Sequence, residues 1–287
     1  MTLLILLPMQ WQLISTSNIK IFILKKILFL ITLSTLLACG AKKTKPKDHQ
    51  QELSKHLVLA TIWFQQSAEM EASYLQSYNW AKFLIDAKLD TMKDTGPKGV
   101  ILDIDETVLD NSPYEAWLIQ TGQTYEPKSW KEWTDQARAK ALPGALDFVN
   151  YAMDKGVEVF YISNRKLNEF SSTVINLQSL GFPNADSTHI LLKDKLSDKT
   201  DRRNVVADKV NVLLYIGDNL TDYSESFANR GQDLGKELVR TTADTWLYEF
   251  VMLPNPTYGE WESAIYDNDF SLPDSVKVAR RLDVLEK

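Results

Sequence analysis

Apolar runs that stop abruptly at polar residues constrain this chain most. Gly99-Val100-Ile101-Leu102 runs straight into Asp103, and Val157-Glu158-Val159-Phe160-Tyr161-Ile162 into Ser163-Asn164. Val212-Leu213-Leu214-Tyr215-Ile216 ends at Gly217-Asp218-Asn219, and the shorter His189-Ile190-Leu191-Leu192 precedes a lysine-rich loop. Near-continuous apolar runs of this length are buried strands. Helical patterns separate them, at 145–155 after Pro143-Gly144 and at 170–180 before Gly181. Strands alternating with helices predict an α/β fold, a Rossmann-like parallel sheet with helices on both faces. In such sheets ligands bind beyond the carboxyl ends of the strands, where the polar residues named above all fall.

Upstream, residues 53–93 read as helical, with Leu57, Ala60, Phe64, Ala68, Glu71, Leu75 and Tyr78 spaced by three and four. The aromatics Trp63, Phe64, Tyr74, Tyr78, Trp80 and Phe83 are assigned to packing, and Gly96-Pro97 ends the helix. Residues 110–142, with Trp117, Tyr125, Trp130 and Trp133, are too many for a simple crossover. They predict a mainly helical cap over the strand ends, completed by the N-terminal helices and the C-terminal region.

The first residues follow another logic. Lys20, Lys25 and Lys26 precede the apolar stretch 27–37, which is shorter than the 20 or so residues a membrane span needs. A basic segment, a short apolar core and small residues at its end make a secretory signal. Here the end is Leu36-Leu37-Ala38-Cys39, similar to the lipobox of bacterial lipoproteins, so residues 1–38 are expected to be removed and Cys39 lipidated. Cys39 is the sole cysteine, which excludes a disulfide within the chain. Residues 39–52, rich in lysine, are then the tether and 53–287 the folded domain. Met1 and Met9 both remain as starts. A net charge of -6 argues against a dedicated nucleic-acid binder.

The strand ends carry the chemistry. Asp103 and Asp105 straddle one residue, Asp218 ends another strand, and Asp222 follows one helical turn later. Two carboxylates buried together are costly without a cation, and Mg²⁺ prefers oxygen ligands. A carboxylate nucleophile can divide the hydrolysis of a phosphate monoester into two steps through an aspartyl-phosphate. The Ser163 hydroxyl, the Asn164 amide and a lysine would donate to the phosphoryl oxygens.

This order of motifs resembles the haloacid dehalogenase superfamily and, more narrowly, the class C acid phosphatases, a lipoprotein family of 5'-nucleotidases. The likeness extends through Trp63 to Glu69, Asp103-Ile104-Asp105-Glu106-Thr107, Ser163-Asn164-Arg165-Lys166, Ser197-Asp198-Lys199, Gly217-Asp218-Asn219-Leu220-Thr221-Asp222 and Pro254-Asn255-Pro256-Thr257-Tyr258-Gly259. The resemblance implies Asp103 as nucleophile and metal ligand. It implies Asp105 as general acid and then base, its backbone carbonyl on the metal. Ser163 stands where the family usually has threonine. Lys199 is the implied phosphate-binding lysine, with Lys193 and Lys195 as competitors; Asp218 is an implied Mg²⁺ ligand, supported from behind by Asp222. Tyr125 and Tyr258 are implied to sandwich a nucleotide base. The expected partners are a small phosphorylated substrate such as NMN or AMP, a membrane through the lipid anchor, and a second copy in a homodimer. The expected location is the bacterial cell envelope, at the outer membrane. A broad-specificity acid phosphatase or phosphotransferase, and a non-catalytic surface binding protein on the same fold, remain as alternatives.

Overall fold

The computed structural model describes residues 48–286. Cys39, the signal segment and most of the tether therefore lie outside the described residues. The first helix begins inside the stretch read as tether, because Asp48 caps it by accepting a hydrogen bond from the Gln51 amide at 3.2 Å. The long helical stretch divides into three: α1 (His49–His56), α2 (Val58–Gln66) and α3 (Ala68–Thr91). Ser67 makes the second break, since its extended backbone and its hydroxyl, which accepts from Met70 N, start α3 afresh. The 3.6-residue period survives such a break, so periodicity alone reads through it.

The sheet has five parallel strands, β1 (Lys98–Leu102), β4 (Val157–Lys166), β5 (Ile190–Lys193), β6 (Asn211–Gly217) and β7 (Phe250–Met252), in the order β5-β4-β1-β6-β7. The three apolar runs that end in polar residues are its central strands. Along β1, Val100 and Leu102 pack on one face and Ile101 on the other; along β4, Val159 and Tyr161 oppose Phe160 and Ile162. The first face is covered by α3, α6 (Ala145–Asp154) and α7 (Phe170–Ser179), the second by Val206 on α8 (Thr200–Ala207). Helices thus lie on both faces, as expected. The edge strand β7 is absent from the sequence reading: three residues between a helix and Pro254 are too short to show a period.

The insertion after β1 is closed at its base by an antiparallel ribbon, β2 (Leu109–Asp110) paired with β3 (Lys140–Ala141). Between these strands lie α4 (Ser112–Thr121) and α5 (Pro127–Thr134), which form the helical cap. At the other end, the C-terminal helix α12 (Asp274–Asp283) lies against α1. Arg281 on α12 binds Glu262 and the Tyr266 hydroxyl and reaches the Leu53 carbonyl at 3.4 Å. Among the described residues no helix is long and apolar enough to cross a membrane.

Candidate active site

The loop leaving β1 is held from two sides. Its residue Glu106 has a left-handed backbone, φ 56°, which turns the chain sharply after Asp105. From α3, the Tyr74 hydroxyl donates to the Glu106 carbonyl at 2.5 Å and the Tyr78 hydroxyl to the Thr107 carbonyl at 2.7 Å. Both tyrosines are fully buried. The helix aromatics assigned to packing therefore also hold the loop on which the two aspartates sit.

Asp103, Asp218 and Asp222 are all buried, and one carboxylate oxygen of each lies within 4.8 Å of the others. Lys199, at the N-terminal end of α8, is buried among them. Its ammonium donates to Asp103, to Asp222 at 2.6 Å and to the Ile162 carbonyl at 2.8 Å. Of the three candidate lysines, the structure brings Lys199 to the aspartates; Lys193 instead reaches the Ser197 hydroxyl at 3.3 Å. Asp218 accepts from Asn255 at 2.8 Å and from the Asn219 side chain at 2.9 Å. Asp222 also accepts from the Asn219 amide at 2.9 Å. It reaches this position because Gly217 leaves room: a methyl there would stand 2.6 Å from the Asp222 Cβ.

Burial dominates the electrostatics. It raises Asp103 to about 7, against the pull of Lys199 and with further pushes from Asp222 and Asp105. Asp218 is held well above the carboxylate range by burial and by its two carboxylate neighbours. Burial opposes the charge on Lys199, but Asp103 and Asp222 together hold it above its ordinary value. Three buried oxygen donors with excess negative charge fit a hard divalent cation. One Asp222 oxygen lies within this cluster, while its two oxygens accept from Lys199 and from the Asn219 backbone amide.

The Asp105 carboxylate is outside this cluster. It faces Arg165, whose guanidinium forks onto it at 2.7 and 3.0 Å, and it accepts from Asn111 at 2.8 Å and from the Ser163 hydroxyl at 3.3 Å. Asn164 does not join the carboxylates; its side-chain oxygen accepts from Arg202 at 2.8 Å. The two tyrosines differ. Tyr125 is 56% exposed, 6.3 Å from the Trp130 ring, and is pushed up to about 12 by burial of its remainder, with Tyr114, Glu169 and Asp105 adding. Tyr258 is half-buried, and its hydroxyl donates to Glu106. Glu106 is a buried carboxyl held well above its ordinary range by burial, then by Asp105 and Asp218. Against that push, the Asn111 backbone amide donates to one Glu106 oxygen and the Tyr258 hydroxyl to the other.

The family profile of the HAD superfamily, subfamily IIIB (acid phosphatase), matches residues 25–261. The chain belongs to this family. A class C acid phosphatase from Bacillus anthracis is 39% identical, with a TM-score of 0.78 over 82% of this chain and 98% of its own. A second structure of that enzyme, with tungstate bound, is 38% identical with a TM-score of 0.77, at the same coverage. Acid phosphatase 1 of Solanum lycopersicum is 26% identical over 60% of this chain, and a stem 31 kDa glycoprotein of Glycine max 28% identical over 42%. The chain spans 63% of the tomato protein's length and half of the soybean protein's.

Within this acid phosphatase family member, the residues without an assigned role in the sequence reading are Arg165, Asn111, Glu106, Asn219 and Asn255. Adjacency to a motif was the available signal: Arg165 directly follows Ser163-Asn164, and Glu106 directly follows Asp105. For two of them the partner is distant in sequence, 54 residues from Arg165 to Asn111 and 37 from Asn255 to Asp218.

Proposed function

We propose that this chain hydrolyses phosphate monoesters, 5'-nucleotides such as NMN and AMP among them, by way of an aspartyl-phosphate on Asp103. The observation that carries this is the buried cluster of Asp103, Asp218, Asp222 and Lys199 at the carboxyl ends of β1 and β6, in a member of an acid phosphatase family. A relative that takes up tungstate, an oxyanion, is consistent with a phosphate site.

In this reading an Asp103 oxygen attacks phosphorus while the bond to the leaving-group oxygen breaks, and Asp105 supplies the proton that oxygen needs. Asp105 then takes a proton from water, whose oxygen displaces Asp103 and frees phosphate. Ser163 and Lys199 donate hydrogen bonds to the phosphoryl oxygens. Mg²⁺ held by Asp103, Asp218 and the Asp105 carbonyl, with Asp222 supporting them from behind, would supply positive charge to the phosphoryl group. Tyr125 and Tyr258 would receive the base by stacking.

Asp103→Asn should abolish phosphate release from AMP; unchanged turnover would sink the nucleophile assignment. Comparing NMN, AMP and glycerol phosphate tests the substrate class. Equal rates on all three would favour the broad-specificity reading and remove the role of the tyrosines. Cys39 as a lipid anchor in the bacterial envelope is part of the same proposal. Cys39→Ser should release the protein from the membrane fraction and prevent its labelling by radioactive palmitate.

A further inference from the structure

Asp105 is a short side chain that must meet two different oxygens, the leaving group's and later that of water. A general acid works within a hydrogen bond of its target, about 2.6–3.2 Å. Its orientation is therefore part of the chemistry, and the structure shows what sets it.

Arg165 lies on β4 where the register with β5 slips between Ser163 and Lys166, and such irregularities re-aim side chains. Its side chain is 1% exposed, against 16% for Asp105. Nε donates to both Asp105 oxygens, at 3.0 and 3.2 Å, and Nη2 to Oδ1 at 2.7 Å. Nη1 is fixed by the Thr173 hydroxyl at 3.1 Å. Burial opposes its charge, but Asp105 keeps the guanidinium above its ordinary range. A planar fork of this kind fixes the plane of a carboxylate, which an ammonium cannot do.

The second support comes from the cap. Asn111 donates to Asp105 Oδ1 through Nδ2 at 2.8 Å. Its amide orientation is set by Trp133 on α5, whose indole N–H donates to Asn111 Oδ1 at 2.9 Å. An indole only donates, so the oxygen of Asn111 must face it and the NH₂ must face Asp105. Trp133 and Asn111 are both buried. The chain Trp133–Asn111–Asp105 thus joins a cap helix to the candidate acid.

We propose that Arg165 and the Trp133–Asn111 pair are positioning residues for Asp105, so that the cap sets the geometry of proton transfer to the leaving group. This rests on the reading of Asp105 as general acid above, and the test separates the two. Leaving groups provide the readout. Departure of 4-nitrophenolate needs little protonation, whereas an alkoxide needs a proton as it leaves. Activity (kcat/KM) on 4-nitrophenyl phosphate and on an alkyl phosphate would be measured for the parent and for Asp105→Asn, Arg165→Lys and Trp133→Phe, with thermal midpoints for each.

Asp105→Asn should lose far more on the alkyl ester, on the order of 10²-fold or more beyond its loss on the nitrophenyl ester. Arg165→Lys should show the same selective loss at about tenfold or more, and Trp133→Phe, which keeps its packing but lacks the N–H, a smaller one of about threefold or more. Equal losses on both esters in Arg165→Lys and Trp133→Phe, with a selective loss in Asp105→Asn, would overturn the positioning role alone. Equal losses in Asp105→Asn as well would overturn the acid assignment and the positioning role with it. Asp103→Asn, inactive on both esters, tests the nucleophile independently.

Discussion

Lys199 shows how much one residue can decide. It is the cation that the buried aspartates share, bonded to Asp103 and Asp222 at once. Removing one partner of a buried ion pair costs about 3–5 kcal/mol, because the remaining charge is left uncompensated. Lys199→Met should therefore lower stability by that order at pH 8 in the presence of chelator. The loss should be smaller at pH 5, where Asp103 takes up a proton instead. Phosphate release should fall by about 10²-fold or more. Equal destabilisation at both pH values would show that Asp103 does not depend on Lys199 for its charge. Among neighbouring lysines the sequence left three candidates, because lysine spacing in a loop says nothing of direction. Direction came from α8, whose N-terminal end carries Lys199 to the Ile162 carbonyl.

At the scale of elements, helices hold the site from outside it. Tyr74 and Tyr78 fasten the Asp-x-Asp loop from α3, and Trp133 reaches Asn111 from α5. A further carboxyl, Glu115 on α4, is buried and raised to about 8 by burial, with Glu262 adding. Glu262 in turn binds Arg281 of α12. A carboxyl raised from the ordinary value of about 4.3 removes stability as pH climbs from there to about 8, and removes none at lower pH. Glu115→Gln cannot ionise. Its stability relative to the parent should therefore rise between pH 5 and pH 8, by about 3–4 kcal/mol in urea unfolding. A difference that does not change with pH would mean that Glu115 stays charged in the folded chain.

For the whole molecule, the carboxylate cluster couples the fold to a cation. Asp103 raised to about 7 destabilises the metal-free protein progressively from about pH 4 to about pH 7, with the full cost present above that window. A divalent cation that binds the folded cluster offsets this cost by mass action, and protons compete with it for the same oxygens. Added Mg²⁺ should therefore raise the thermal midpoint more at pH 8 than at pH 5, by about 3 °C or more, and EDTA should reverse the gain. An equal rise at both pH values would place the cation elsewhere. No change at either pH would leave the three aspartates without that role.

The sequence alone determined the α/β class, the three central strands and the aspartates at their carboxyl ends. These follow from local rules, since buried parallel strands are written as apolar runs and a run ends where the chain turns polar. The division of the N-terminal helix, the edge strand β7 and the start of α1 at His49 escaped, because one-residue caps and three-residue strands carry too little pattern. Only the tertiary structure decided what each aspartate faces. Asp103 and Asp105 are two residues apart, yet one meets Lys199 and the other Arg165, 96 and 60 residues away. The reason is physical. The loop beyond β1 is fastened by helix tyrosines, and the partners that its two carboxylates meet become neighbours only when β4 and β6 pair on either side of β1.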